Sequence, residues 1–184
     1  MGSGFLHRAA AACPADLLAR AKERGTCRLL VVRAAALPME AAFEAVQADI
    51  AEPVLVGEPE IIKAEAEKLG WIVPDDAIIP AVGEAEAASV SADLLRRGLA
   101  GEGPEINAVM KGQLHTDVFM GALLDKSVGL RTGNRLVHVF AIFPPDGSAP
   151  VMVSDAAVNV SPDDKTKQQS MTLGHALLLC LIIW

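Results

Sequence analysis

The 184-residue sequence is short of several things that specialised folds require. Its three cysteines, Cys13, Cys27 and Cys180, are odd in number and unclustered, so there is neither a disulfide framework nor a zinc-ligand spacing. That usage suits a reducing cytoplasm. Basic residues are few: 16 Lys and Arg face 23 Asp and Glu for a formal charge of −7, which disfavours a nucleic-acid or anionic-membrane binder. Long apolar runs are missing too. The uncharged run at the end, residues 176–184, has nine residues, too short to span a bilayer. Residues 1–12 lack the apolar stretch of a signal peptide. There is no G-x-G-x-x-G after a strand, no G-x-x-x-x-G-K-[ST], no G-x-S-x-G and no metal-spaced His/Cys set, so Rossmann dehydrogenases, P-loop NTPases, α/β-hydrolases and zinc enzymes lose ground. What remains is 52% hydrophobic and 21% charged, neither disordered nor fibrous. At about 150 residues per domain, the length allows one domain or one and a fraction.

Two kinds of segment alternate along the chain. Residues 27–33, 53–57, 77–80 and 106–110 are short apolar runs of strand length, the third weakened by flanking prolines. Between them, residues 14–24, 38–49, 58–69 and 84–99 read as helices, and 116–126 follows as another. Met39, Phe43 and Val46 mark one inward face; Ile61, Ile62 and Leu69 mark the next, with Gly70 as its stop. Such alternation implies a mostly parallel sheet flanked by helices. The pattern changes near residues 131–134, which divides the chain into a first α/β domain, 1–131, and a partial second one, 132–184. Residues 136–143 and 151–153 read as strands joined through the turn Pro144-Pro145-Asp146-Gly147. Ser161 and Pro162 then open a last helix, as cap and first residue. That helix becomes apolar all round after residue 175, and no chain follows to cover it. We read the end as truncated or frame-shifted near residue 170, with a covering partner as the alternative.

Three polar clusters can carry chemistry. The densest is Lys111-Gly112-Gln113-Leu114-His115-Thr116-Asp117, where a buried strand gives way to a helix. Ligands collect outside the carboxyl ends of parallel strands, and a helix start offers N–H groups and partial positive charge to an anion. Gly112 admits close backbone approach, Lys111 adds a full charge, and His115 and Thr116 add donors. The same residues also suit a structural role, with Thr116 or Asp117 as a cap and Lys111 solvated. The second cluster, Gly129-Leu130-Arg131-Thr132-Gly133-Asn134-Arg135, is a flexible loop that can aim a guanidinium at phosphate, or a helix stop followed by an exposed turn with a surface arginine. In the third, Ser154-Asp155-Ala156-Ala157-Val158-Asn159, Asp155 can act as a general base or position one, and Asn159 can donate to a carbonyl or phosphate. Either can equally serve its own loop. His138 in an apolar strand and His7 near the terminus read as structural or solvated.

These clusters, in this order, resemble the phosphate acetyl/butyryl transferase family (phosphotransacetylase and phosphotransbutyrylase), and in particular the acyltransferase half of fused enoyl-CoA hydratase/phosphate acetyltransferases. The stretches are Met110 through Asp117, Gly129 through Gly133 and Ser154 through Asn159, with Pro53-Val54-Leu55-Val56-Gly57 and the strand from Leu29 to Arg33 resembling the family's start. The likeness covers residues 14–169. It implies an isocitrate/isopropylmalate dehydrogenase-like α/β fold of two domains around a cleft, the second incomplete here. It also implies exchange of an acyl group between coenzyme A and inorganic phosphate, without metal or redox cofactor, by a cytoplasmic homodimer that binds neither nucleic acid nor membrane. On that reading His115 and Asp155 are catalytic, and Lys111, Gly112, Thr116, Arg131, Thr132 and Asn159 bind substrate.

The chain departs from the family in length. Two ordinary domains make members roughly twice as long. Their later half supplies a serine, an arginine and an aspartate that have no counterpart here. Two alternatives therefore stand beside the transferase: a non-catalytic remnant or subunit that binds coenzyme A, phosphate or a partner, and a dehydrogenase of the same architecture.

Overall fold

The computed structural model describes residues 15–128, 130–131, 134–144, 148, 151–154 and 159–182, with side chains up to residue 173 and that of residue 16 excepted. The elements run α1 (Ala15–Glu23), β1 (Cys27–Val32), α2 (Ala36–Gln47), β2 (Ala51–Gly57), α3 (Pro59–Leu69), β3 (Ile78–Pro80), α4 (Gly83–Leu99), β4 (Ala108–Lys111), α5 (Thr116–Leu123), β5 (Val139–Ile142), β6 (Val151–Ser154) and α6 (Asp164–Ile182). A single 3₁₀ turn, Asp75–Ala77, leads into β3. The chain forms two compact units: β1 to α5 lie in one, and α1 groups with β5, β6 and α6 in the other.

In the first unit four strands lie in the order β3-β2-β1-β4, every pair parallel. β1 and β2 are buried on both faces, which explains their unbroken apolar runs. Their side chains alternate between two cores. Leu29, Val31 and Leu55 pack with Met39, Ala42, Ile62 and Ala66 of α2 and α3. Leu30, Val32 and Val56 pack with Ala87, Ala88, Leu94 and Leu95 of α4, Phe119 of α5 and Leu114. Helices thus cover both faces, as the strand–helix alternation predicts.

Several local readings need adjustment. Ile61 is 41% exposed while Ile62 is fully buried, because neighbouring helical positions lie about 100° apart and one stripe cannot hold both. Ala66 completes that stripe. Pro80 is tolerated because β3 is an edge strand, where a missing N–H breaks no ladder. Gly70 ends α3 in the left-handed region at φ 65°, as its place in the sequence predicts.

In the second unit β5 and β6 form an antiparallel pair in which Phe140 faces Val153 and Ile142 faces Val151, and α6 packs against both strands. The hairpin reading holds for the strands, while Pro145, Asp146 and Gly147 of its turn lie outside the described residues. α6 begins at Asp164, not at Ser161–Pro162. Asp163 caps it, its Oδ1 accepting the Thr166 backbone N–H at 2.8 Å and the Thr166 hydroxyl at 2.6 Å. The backbone stays helical to Ile182, and the apolar side chains of the tail lie outside the described residues. Among the described residues, no helix is long and apolar enough to cross a membrane.

Candidate functional site

The strand order places a reversal between β1 and β4. From β1 the chain steps outward through β2 to β3, then returns across the sheet to β4 on the other side of β1. A crevice opens at such a point, outside the carboxyl ends of the two strands that flank it. Here those ends are Val32, followed by Arg33, and Lys111, followed by Gly112. Arg33 turns off the sheet at φ 57°, a left-handed conformation that costs a non-glycine residue about 1 kcal/mol. Gly112 meets the same turn from β4. Its N–H donates to the Val32 carbonyl at 2.9 Å, and the next N–H, of Gln113, donates to the Arg33 carbonyl at 3.0 Å. A Cβ on Gly112 would stand 2.3 Å from the Val32 oxygen and 2.4 Å from the Arg33 oxygen, so the close approach requires glycine. Buried Leu114 then pins the loop to the core.

An open hollow of ≈ 410 Å³ results, lined by Arg33, Glu84, Lys111, Gly112, Gln113, Leu114 and His115. Glu84 is its organising side chain. It enters from the first turn of α4, where helix polarity favours a carboxylate. One oxygen, Oε2, accepts both the backbone N–H of His115 at 2.9 Å and its ring Nδ1–H at 2.7 Å. The other, Oε1, accepts from Arg33 Nη1 at 3.3 Å. Arg33 Nη1 also donates to the Gln113 carbonyl at 2.7 Å, and Nη2 lies 3.9 Å from Glu58 Oε1. Glu58 in turn accepts the N–H of Gly83, the first residue of α4, at 2.9 Å.

These contacts set the charge states. The backbone N–H of His115, and then its ring, hold the Glu84 carboxyl below its ordinary value. The Gly83 N–H does the same for Glu58. The hydrogen bond to Glu84 raises the pKa of His115, and the charges of Glu84 and Asp117 add to that, while desolvation and Lys111 oppose it. Because an ionised carboxylate only accepts, the contact assigns the proton of neutral His115 to Nδ1, which leaves Nε2 as a proton acceptor. The His115 side chain is 79% exposed.

The structure brings together Lys111, Gly112 and His115 of the residues singled out from sequence, all at the hollow. Thr116 is the first residue of α5 and is exposed; His115 occupies the cap position, so neither Thr116 nor Asp117 is the cap. Arg131 does not line the hollow. α5 carries the chain away from the carboxyl edge, and Leu130 lies beside Ile106 and Gly98, near the start of β4. Asn159 belongs to the second unit, where its Nδ2 donates to the Leu136 carbonyl at 3.0 Å. Thr132 and Asp155 lie outside the described residues, as do Gly129, Gly133 and His7. His138 lies just before β5, and its ring sits edge-on to Phe140 at 4.1 Å. Arg33, Glu58 and Glu84 were not anticipated. Each directly follows a strand or opens the next helix, which is the one signal that could have marked them. Among the described residues, no group of three or more His, Cys, Asp or Glu could hold a metal ion.

Comparison with known proteins finds relatives of the chain as a whole. The chain is 34% identical over 167 residues to a phosphate butyryltransferase of Clostridium beijerinckii, covering 88% of this chain and 53% of that protein. It is 32% identical over 140 residues to a phosphate acetyltransferase of Rickettsia felis, covering 74% of this chain and 38% of that protein. The chain therefore spans about half, or less, of the length of these curated relatives. Among solved structures, a branched-chain phosphotransacylase from Enterococcus faecalis matches 83% of this chain and 51% of its own at TM-score 0.59 and 13% identity. A phosphotransacetylase from Staphylococcus aureus matches 83% and 53% at TM-score 0.57 and 18% identity, and both show a shared fold. No family model matches the chain.

Proposed function

We propose that this chain, which belongs over its matched stretch to the phosphate acetyl/butyryl transferase family, serves acyl exchange between coenzyme A and inorganic phosphate: acyl-CoA + phosphate ⇌ acyl phosphate + CoA. The observation that carries this reading is the hollow at the β1/β4 reversal, with a lysine, a glycine backbone and a carboxylate-backed histidine at its rim. Its ≈ 410 Å³ suits a phosphate or an acyl phosphate, near the small end of ligand pockets at about 300–1,000 Å³. The bulk of coenzyme A then lies outside.

The chemistry needs three things. A coenzyme A thiol must lose its proton to attack an acyl phosphate, because the thiolate is the nucleophile. Nε2 of His115 takes that proton, the thiolate adds to the acyl carbonyl, and the tetrahedral intermediate collapses by breaking the bond to phosphate. The proton then passes from His115 to the departing phosphate oxygen, so no net proton is gained or lost at the enzyme. Lys111 and the N–H groups in the first turn of α5, beginning at Thr116, stabilise the phosphate charge as it develops. Gly112 keeps the backbone close enough for them to share one ligand.

The isocitrate/isopropylmalate dehydrogenase-like two-domain cleft, the homodimer, the cytoplasmic setting and independence from metal or redox cofactors belong to the same proposal. The test is phosphate-dependent release of free thiol from acetyl-CoA or butyryl-CoA, with a full-length relative assayed alongside. Release that requires phosphate and falls in His115→Ala supports the assignment. No release above background from this chain, with the relative active, overturns it for this chain.

A further inference from the structure

We infer that Glu84 is the positioning residue of this site, holding the His115 imidazole in the Nδ1–H tautomer so that Nε2 faces the reacting thiol. The inference rests on the exchange reading above and adds to it a residue outside the Lys111–Asp117 segment. Four observations carry it. Glu84 Oε2 receives two donors from the same residue, the backbone N–H and the ring Nδ1–H of His115, which fixes both the main chain and the ring plane. Oε1 is occupied by Arg33, which also bonds the Gln113 carbonyl, so the carboxylate cannot swing away without breaking contacts to β1 and to the β4 loop. Gly83, which precedes Glu84, is fixed at φ 74° with its N–H on Glu58 Oε1, so the start of α4 is anchored as well. Finally, the Glu84 side chain is 25% exposed while the imidazole it holds is 79% exposed, the relation of a support to a group that meets a ligand.

A histidine that caps a helix needs no carboxylate on its ring, and an isolated imidazole samples both tautomers. Orientation by a carboxylate raises the basicity of the ring and stabilises the imidazolium that forms when the thiol proton arrives. The groups facing His115 are Glu84 from α4, Asp117 from α5, Lys111 at the end of β4, and Arg33 through the shared carboxylate. Of these, among the described residues, Glu84 alone hydrogen-bonds the ring.

The experiment compares the unaltered chain with Glu84→Gln, which removes the charge and keeps the shape, and Glu84→Ala, which removes both. Each is also made in a His115→Ala background, and backbone amide spectra report whether each variant is folded. Ring ¹⁵N shifts give the tautomer and titration midpoint of His115; thiol release gives kcat and KM for phosphate. We expect the His115 midpoint to fall in both variants and the Nδ1–H population to fall in Glu84→Ala. The expected kcat loss is on the order of tenfold in Glu84→Gln, against about a hundredfold in His115→Ala, with KM for phosphate little changed. In the His115→Ala background the Glu84 effect on rate should vanish, as for residues acting as one unit. An unchanged His115 titration in a folded Glu84 variant overturns the inference, as does an equal rate loss with and without His115. If the unaltered chain shows no exchange while the titration shifts as expected, the acyl-exchange reading fails and the positioning contact stands.

Discussion

Substituting Gly112 by alanine tests the geometry on which the hollow depends. Among the described residues β4 pairs only with β1, and beyond its last residue the two segments stay joined through the Gly112 and Gln113 N–H groups. An added Cβ would stand 2.3 and 2.4 Å from two carbonyl oxygens and 2.9 Å from the Arg33 carbonyl carbon, all of them backbone atoms that cannot rotate away. Restoring van der Waals separation requires a retreat of about 1 Å. That retreat stretches two backbone hydrogen bonds, worth about 1 kcal/mol each, and adds an overpacking penalty of about 1–3 kcal/mol. Gly112→Ala should therefore lose about 3–5 kcal/mol in urea unfolding followed by circular dichroism. Gly121, in α5, supplies the contrast: nothing lies within 4 Å of its Cβ position, so Gly121→Ala should gain roughly 0.5–1 kcal/mol. A Gly112→Ala loss below about 1 kcal/mol would refute the claim that the turn demands glycine.

Two further outcomes follow from contacts already described. Asp163→Ala should lower stability by about 1 kcal/mol in thermal unfolding, because it removes the cap that Thr166 uses, while Ser161→Ala should stay within about 0.5 kcal/mol. The reverse order would restore Ser161 as the cap. The His115–Glu84 pair gives a pH signature. The folded-state pKa of His115 is raised above 6.5, so its contribution is full below pH 6.5 and disappears as pH rises through the raised value. The Glu84 carboxyl is held below 4.5, so its contribution is present above pH 4.5 and is lost as pH falls through the lowered value. The Tm difference between the unaltered chain and His115→Gln should thus be largest between pH 4.5 and 6.5. A difference that is flat from pH 4 to 9 would remove the pair as a coupled unit.

The strands and helices of the first unit were legible because their signals are local. Runs such as Leu29 to Val32 are apolar at every position since helices cover both faces, and Gly70 must follow a helix because its φ is 65°. Lys111, Gly112 and His115 were legible for the same reason: a strand end, a glycine and a helix start stand next to one another in sequence. Arg33 and Glu84 were not. Nothing around residue 33 or residue 84 records that β4 returns beside β1, and that pairing alone brings Gln113 and His115 to both of them. Arg131 was chosen on the strength of its flanking glycines, a feature of loop freedom that says nothing about which end of the sheet the loop reaches. The cap of α6 went to Ser161 instead of Asp163 because serine, proline and aspartate all favour a helix start within three residues, and only the bond to Thr166 decides among them.

The presence of Arg33 at the hollow alters the electrostatics of the proposed chemistry. An arginine reaching in from a loop would bring an uncommitted charge to a phosphate. Arg33 is instead committed to Gln113, Glu84 and Glu58. Around the hollow, Arg33 and Lys111 stand against Glu58, Glu84 and Asp117, so neutral His115 leaves an excess of negative charge facing any anion. Protonation of His115 offsets that excess beside Lys111. On the proposed exchange, the charge that helps hold a departing phosphate is then the one created when the thiol proton is taken up, and it disappears when the proton leaves with the product. On that proposal the site binds phosphate weakly at rest and gains its grip at the moment the acyl group changes hands.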